Sequence, residues 1–278
     1  MKQTLKLSFE MTDVLSRIEH NGLKINLDTL DQIEKEYEDE MHILENRLNE
    51  LAKEAMGDTP INLASPDDKS MLLYSRRVKD KALWSMTFNL GHEMRGNTIK
   101  PKMKTRMKNT EFVRCVRRMT DIVYKTIGRQ CQTCNGSGRV TPLKKDGSKG
   151  KAKRICKVCI GKGVNYTSTG EVAGFKLIPR TVRDTASAGF KTDKVTLEDR
   201  LSELDGNARE FCEAYVRYNA LRTYLSTFVE GMKNNVDDDS FIHPEFMQCV
   251  TATGRLSSRN PNFQNMPRGS TFAIRKVV

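Results

Sequence analysis

The chain has 278 residues, 37% hydrophobic and 29% charged, with a formal net charge of +12. That length holds one large or two small domains, on an apolar content below the usual ~45–50%. No apolar run approaches the roughly 18 residues of a membrane span, and Met1-Lys-Gln-Thr-Leu-Lys-Leu7 lacks a secretory apolar core; the composition argues against membrane and secreted classes and for a cytoplasmic protein.

The positive charge is concentrated. Between Arg76 and Arg183, 27 Lys/Arg face 6 Asp/Glu, while the remaining residues carry 20 against 29. A basic segment of this kind points to a polyanion, most simply nucleic acid. An RNA or an acidic protein fits the charge equally well.

Residues 8–20 read as a helix with Phe9, Val14, Leu15 and Ile18 on one side. Asn21-Gly22 ends it, and Leu23 to Leu27 form a short extended link. Asp28 caps a long second helix whose apolar positions run Leu30, Ile33, Tyr37, Met41, Leu44, Leu48, Leu51 and Ala55. Spacing by threes and fours predicts a stripe that requires a partner helix along its length. Gly57-Asp-Thr-Pro60 stops it. Ser65-Pro66-Asp67-Asp68 is a strong helix start, with an N-cap, a proline at the first position and two carboxylates at the positive end of the dipole.

Lys100, Lys102, Lys104, Arg106 and Lys108 occupy alternate positions and would face one way in an extended backbone. Phe112, Val116, Met119, Val123 and Ile127 then mark one face of a helix, with five basic residues largely off it. A solvated charged face is the bland reading of either element alone; two in succession favour a nucleic-acid grip.

Cys131-Gln-Thr-Cys134-Asn-Gly-Ser-Gly138 and Cys156-Lys-Val-Cys159-Ile-Gly-Lys-Gly163 share the pattern C-x-x-C-x-G-x-G. Two thiolates two residues apart reach one metal, and four complete a closed tetrahedral structural zinc site spanning 130–164. Free surface thiols are the alternative. The repeats resemble the zinc repeats of the chaperone DnaJ, with two of its four present. The Pro142-to-Arg154 stretch between them reads as a mobile hairpin tip. Cys115, Cys212 and Cys249 read as buried apolar positions.

A third apolar stripe, Leu197, Leu201, Leu204, Ala208, Phe211, Tyr215, Tyr218, Leu221, Leu225 and Phe228, is the natural antiparallel partner of the second helix, with a break expected at Asp205-Gly206. Phe241 to Val250 read as strands, with His243-Pro244 at their turn. Then comes Thr251-Ala-Thr253-Gly-Arg255-Leu-Ser257-Ser258-Arg-Asn-Pro261-Asn262-Phe-Gln264-Asn265-Met-Pro267. This is a glycine turn, a set of hydroxyls, an arginine and carboxamides between prolines, with no carboxylate. Such donors suit the acceptors that every base pair shows in the minor groove. A polar surface turn is the plainer reading of T-G-R alone.

The whole run resembles the T-x-T-G-R-L-S-S-x-x-P-N-x-Q-N-x-P signature of family A DNA polymerases, with Phe263 at a usually aliphatic place. The resemblance implies a palm segment whose Arg255, Asn262, Gln264 and Asn265 contact the primer–template, together with the hydroxyls of Thr251, Thr253 and Ser257. Gly22 to Asn26 and Asn62-Leu-Ala-Ser65-Pro66 resemble the base and stem of that family's thumb, making Asn62 and Ser65 backbone-contact candidates; Asp67-Asp68 depart from the lysine common there. Tyr218 to Phe228 resemble its Y-R-x-L-x-K-L-K-S-T-Y, which implies DNA contact by Ser226 and Thr227. The family's arginine is Asn219 and its lysine is Leu225 here, with Arg222 as a substitute.

The expected fold is α+β, mainly helical: palm base and first thumb helices over 1–75, a basic zinc insertion over 76–187, a return helix over 188–235, and the first palm strands over 236–278. In the family, the first catalytic aspartate lies a dozen or so residues beyond the segment matching Phe272 to Val278, and an exonuclease domain ends where Met1 begins. The resemblance therefore implies the N-terminal part of a split or truncated, phage-type enzyme with no catalytic residue of its own. It would bind one structural Zn²⁺, and Mg²⁺ only in an assembled enzyme, held by the missing part. Its partners would be primer–template DNA, a C-terminal fragment carrying fingers and catalytic palm, and a separate exonuclease or processivity factor. In some phage members a processivity insertion occupies a similar place. A stand-alone zinc-dependent nucleic-acid binder and a zinc co-chaperone are the other readings.

Overall fold

Threefold and fourfold apolar spacing produces the helices that dominate the chain. In order they are α1 (Lys2–Asn21), α2 (Leu27–Met56), α3 (Pro66–Tyr74), α4 (Lys81–Phe88), α5 (Asn109–Met119), α6 (Lys194–Arg200), α7 (Gly206–Tyr224) and α8 (Glu230–Lys233). The computed structural model describes residues 2–142, 153–248, 250–251, 253–267 and 272–277. Most of the stretch read as a mobile hairpin tip, and Cys249, lie outside the described residues. Among the described residues the strands form seven two-stranded antiparallel ladders, so the fold is α+β and mainly helical. No helix among them is long and apolar enough to cross a membrane.

The chain divides into two units, residues 1–45 with 217–278, and residues 46–216. In the first, Leu30 and Ile33 of α2 are buried with Leu221, Tyr224, Val229, Met232 and Ile242, and Tyr37, Met41 and Leu44 pack against them. Arg217 holds Glu40 through two bonds of 2.7 and 2.8 Å, and Lys233 bridges Asp31 and Glu34 at 2.5 Å. Ascending numbers on α2 meet descending ones on α7 and α8, so the pairing is antiparallel. A five-residue π-turn, Leu225–Val229, joins α7 to α8. Phe272, Ile274 and Val277 complete this core. Phe272 stacks on Tyr224 at 4.3 Å, and Asn26 N–H donates to the Val277 carbonyl at 2.8 Å.

In the second unit Leu48, Leu51, Ala52 and Met56 are buried. Arg47 grips Glu210 at 2.6 and 2.9 Å, and Asn207 donates to Glu54 at 2.7 Å, again antiparallel. The expected break in the third stripe is real: α6 ends at Arg200, a 3₁₀ turn covers Leu201–Glu203, and α7 starts at Gly206. An aromatic core joins the basic stretch to the residues that follow it. Trp84 lies 4.6 Å from Phe88 and 5.4 Å from Phe190, and Phe88 lies 5.9 Å from Phe112. The indole N–H donates to the Ala186 carbonyl at 2.9 Å.

The helix expected through Ile127 stops at Met119. Thr120, Ile122 and Val123 are β-branched residues that favour extended backbone. Thr120–Ile122 pairs with Arg76–Val78, and Tyr124–Gln130 pairs with Val164–Val172. Phe112, Val116 and Met119 are buried as expected, but Val123 and Ile127 belong to the strand segment. Phe241–Ile242 and Glu245–Met247 are strands, but they pair with Leu23–Lys24 and Ser257–Arg259 rather than with each other.

Candidate metal centre and nucleic-acid interface

The Tyr124–Gln130 and Val164–Val172 ladder leads directly into the cysteines, since Gln130 pairs with Val164 and the chain turns into Cys131 on one side and out of Gly163 on the other. The four Sγ atoms lie within 4.8 Å of one another, all buried. Cys131 to Cys156 is 3.9 Å and Cys134 to Cys159 is 3.6 Å. Both are far from a disulfide length of ~2.05 Å. They bracket the edge of about 3.8 Å that a tetrahedron with metal–sulfur bonds of ~2.3 Å requires. The cluster can hold a metal ion.

The two half-sites are built alike. Gly136 N–H donates to the Cys131 carbonyl and Gly161 N–H to that of Cys156, both at 3.2 Å. Ser137 and Lys162 repeat the match, donating to Cys134 and Cys159 at 3.0 Å. The halves are cross-linked reciprocally, Cys131 N–H to the Gly163 carbonyl and Cys156 N–H to the Gly138 carbonyl, each at 2.9 Å. A Cβ on Gly138 would lie 2.2 Å from the Gly161 oxygen, and one on Gly163 would lie 2.2 Å from the Gly136 oxygen. Only glycine permits that approach. Burial raises both thiols of the first half-site. It pushes Cys134 up to about 11, whereas on Cys131 the amide and thiol of Cys134, the Thr133 amide and the Cys156 thiol outweigh it and bring the thiol down to about 7. Metal binding displaces those protons, so affinity falls with acidity.

The run from Thr251 to Pro267 lies in the first unit. Gly254 turns at φ +70°, its N–H donating to the Thr251 carbonyl at 3.1 Å, and the Thr251 hydroxyl donates to the Arg255 carbonyl at 2.8 Å. Thr253 and Arg255 are exposed. Ser257–Arg259 pairs with Glu245–Met247, and Glu245 accepts from Arg259 and Asn260 at 2.6 and 2.8 Å. Asn262 caps a 3₁₀ turn over Phe263–Asn265, its Oδ1 accepting from the Asn265 N–H at 3.3 Å and the Ser258 hydroxyl at 3.2 Å. The Asn262 carbonyl is thereby committed to the frame, while the Gln264 and Asn265 amides are exposed.

Arg222, Ser226 and Thr227 are exposed in the same unit, the last two within the π-turn; Ser226 Oγ donates back to the Arg222 carbonyl at 2.9 Å. The other candidates belong to the second unit. Asn62 Oδ1 accepts from Ala64 N–H at 2.9 Å, and Asn62 N–H donates to Asp68 at 2.9 Å. Ser65 Oγ accepts from Asp68 N–H at 3.4 Å. Asp68 thus satisfies this helix end from within. Lys100 closes a hairpin (His92–Arg95 with Thr98–Pro101), and 102–108 run as irregular chain. Lys100, Arg106 and Lys108 are exposed and Lys102 is half-exposed. Lys104 turns inward, donating to the carbonyls of Arg183, at 3.0 Å, and Thr185. Burial and Lys191 lower its pKa to about 8.

Two anchors escaped the sequence reading. Arg275 donates to the Pro267 and Met266 carbonyls at 3.1 and 3.3 Å. Tyr37 accepts from the Ala273 N–H at 3.1 Å, while Arg217 lies 5.2 Å over the Phe272 ring. Neither has a spacing signal: Arg275 reaches back eight and nine residues across an irregular segment, and Tyr37 meets a residue more than two hundred positions away.

Residues 146–278 match the model of DNA polymerase family A. DNA polymerase I of Synechocystis sp. is 40% identical over 86 residues, which is 31% of this chain and 8% of that protein. DNA polymerase I of Mycobacterium tuberculosis (strain H37Rv) is 33% identical over 112 residues, 39% of this chain and 12% of that protein. The chain thus spans about a tenth of the length of these curated relatives. A solved structure, the POL domain of Pol1 from M. smegmatis in complex with DNA primer-template and dNTP, aligns over 91% of this chain and 25% of its own. It does so at 19% identity and a TM-score of 0.44. The model match and the DNA polymerase I relatives support a family A polymerase segment in this chain.

Proposed function

We propose that the chain is the primer–template-gripping part of a phage-type family A DNA polymerase. The observation that carries the reading is the run from Thr251 to Pro267. It lies inside the residues matching the family model and presents Arg255, Gln264 and Asn265 outward from a hydrogen-bonded frame. In this reading Arg255 and the amides, with Asn262 through its NH₂, sense minor-groove acceptors common to all base pairs. Thr251, Thr253 and Ser257 complete that surface. Arg222, Ser226, Thr227, Asn62 and Ser65 approach the sugar–phosphate backbone. Lys100, Lys102, Arg106 and Lys108 add sequence-independent grip, with Lys104 as the staple of their segment.

Cys131, Cys134, Cys156 and Cys159 hold one structural zinc; four thiolates close the coordination sphere and leave no position for substrate. Two-metal phosphoryl transfer draws on carboxylates holding Mg²⁺, and none of the described carboxylates is assigned to it. We assign that work to a C-terminal part carrying the fingers and catalytic palm, with the assembly acting in the host cytoplasm. The stretches 1–75, 76–187, 188–235 and 236–278 serve as palm base and first thumb helices, zinc insertion, thumb return and early palm.

Primer extension tests the reading. The purified chain with Mg²⁺ and nucleotides binds primer–template without extending it, and extension appears when the C-terminal part is added. Arg255→Ala then slows extension, most at a mismatched primer end. Extension by the 278 residues alone, or no binding to primer–template, overturns the proposal.

A further inference from the structure

The pseudo-twofold relation of the two cysteine half-sites supplies an internal control on what each position needs. Five surface positions can be compared between halves that make the same hydrogen bonds. Gln130 corresponds to Ile155, Gln132 to Lys157, Thr133 to Val158, Asn135 to Ile160 and Ser137 to Lys162. The first half is neutral and polar at all five. The second carries three β-branched aliphatics and two lysines. Since the first half closes the same turn with polar residues, the turn itself does not require the aliphatics.

Nor does burial explain them. Ile155, Val158 and Ile160 are 63%, 58% and 78% exposed. Ile160 also adopts φ +51°, a conformation a β-branched side chain strongly resists; its counterpart Asn135, at φ +47°, tolerates it. A strained, exposed isoleucine where asparagine is locally better is the kind of outlier from which a function is inferred. Ile155 lies against the turn that carries Ile160, for its Cγ2 is the neighbour a Cβ on Gly161, the next residue, would meet, at 3.2 Å.

The surroundings select the occupant. Lys153, Arg154, Lys157 and Lys162 are exposed around the triad. Between Asp121 and Glu171 the sequence holds one carboxylate, Asp146. Lysine is depleted at protein–protein interfaces, and a patch of this few residues falls short of the roughly 20–30 a side that a standard protein interface uses. Aliphatic wedges flanked by cations are instead a means of contacting bases while neutralising phosphates.

We infer that the second cysteine half-site, through Ile155, Val158 and Ile160 with Lys157 and Lys162, is a DNA-contacting surface. Its aliphatics press against unstacked bases while its lysines hold the flanking phosphates. The inference rests on the DNA-gripping reading but names a contact separate from the run at Thr251 to Pro267.

The test converts the second half into the first. Ile155→Gln, Val158→Thr and Ile160→Asn together place residues that the equivalent positions already accommodate, and Ile160→Asn relieves the strained backbone, so the site folds. The full zinc-loaded chain is titrated with a duplex bearing a single-stranded overhang, with 2-aminopurine at successive positions. Wild type brightens the probe at one or two adjacent positions. The triple variant binds about tenfold more weakly and loses that signal, with zinc content and the salt dependence of binding unchanged, since no charge is altered. Lys157→Gln with Lys162→Gln lowers the salt slope by about 1.8, at ~0.9 per phosphate on duplex DNA. A triple variant that binds like wild type, or a probe silent at every position with wild type, overturns the inference while leaving the gripping reading intact. A triple variant that instead loses binding to an acidic apolar peptide, with DNA binding kept, also overturns it. Wild type that binds no DNA defeats the gripping reading itself.

Discussion

Alanine at Gly163 separates the shape of the cysteine cluster from its chemistry. Gly163 turns at φ +74°, which costs an L-residue about 1–2 kcal/mol. Its added Cβ would also lie 2.2 Å from the Gly136 carbonyl oxygen, against backbone that cannot rotate away. Retreat stretches two bonds that Gly163 makes to the cluster, its carbonyl accepting from Cys131 N–H at 2.9 Å and its N–H donating to Cys159 Sγ at 3.3 Å. Each is worth roughly 0.5–1.5 kcal/mol net, so the collision adds about 1–3 kcal/mol. Gly170 is the control, because it turns at φ +81° with nothing within 4 Å of an added Cβ. Both variants pay the backbone cost; only Gly163→Ala pays the contact. Zinc competition against a chromophoric chelator should therefore show Gly163→Ala binding roughly 5- to 150-fold more weakly than Gly170→Ala, at ~1.36 kcal/mol per tenfold. Its cysteines should titrate faster as well. Equal affinities for the two variants would refute the claim that close backbone approach, rather than the four thiols alone, shapes the site.

Replacing Lys100, Lys102, Arg106 and Lys108 with Gln should flatten the plot of log binding constant against log salt by up to about 3.6, at ~0.9 per phosphate. Adding Lys104→Gln should flatten it no further, because that amine is spent on the Arg183 and Thr185 carbonyls; an unchanged slope in the fourfold variant would place the segment away from DNA. His243 has acceptors at both ring nitrogens, the Glu19 carbonyl at 2.7 Å and Asp237 at 3.3 Å, and these raise its pKa in that order. Its contribution is complete below the unfolded value of ~6.5 and is lost as pH rises through the folded one. An NMR titration of the imidazole should give a midpoint above 6.5 that Asp237→Asn lowers, and a midpoint at or below 6.5 would contradict the geometry. Arg200 is 2% exposed and donates to Asp184, Glu203 and the Ile178 carbonyl at 2.9, 3.0 and 3.2 Å. Arg200→Ala should destabilise by about 1.5–3 kcal/mol, the range of hydrogen bonds to charged groups, because Asp184 loses its buried partner but keeps the N–H groups of Arg180 and Thr181. A denaturant midpoint unchanged from wild type would show that the pair contributes nothing.

The parts of the protein readable in the sequence are those whose physics is local. Apolar residues at threes and fours announced the Leu30–Ala55 and Leu197–Phe228 stripes, because helical periodicity alone decides which face they share. Two C-x-x-C-x-G-x-G repeats announced the thiolate cluster, because ligand reach and left-handed glycine turns are properties of a few adjacent residues. Ser65-Pro66 announced α3 for the same reason. The tertiary structure decided whatever depends on a distant partner. Val123 and Ile127 fit a helical face by spacing, yet they went into extended segments, because the Val164–Val172 strand and the β-branched run from Thr120 outweighed the period. Lys104 looks identical to its four neighbours in sequence, and only the position of two carbonyls some eighty residues away turns it inward. Tyr37 and Arg217 secure the residues after the Thr251–Pro267 run through contacts that no local pattern encodes. The difference between Asn135 and Ile160 is visible in the sequence, but its meaning is not. Only the backbone places both at the same left-handed angle in equivalent turns, and so exposes the isoleucine as strained for a purpose other than folding.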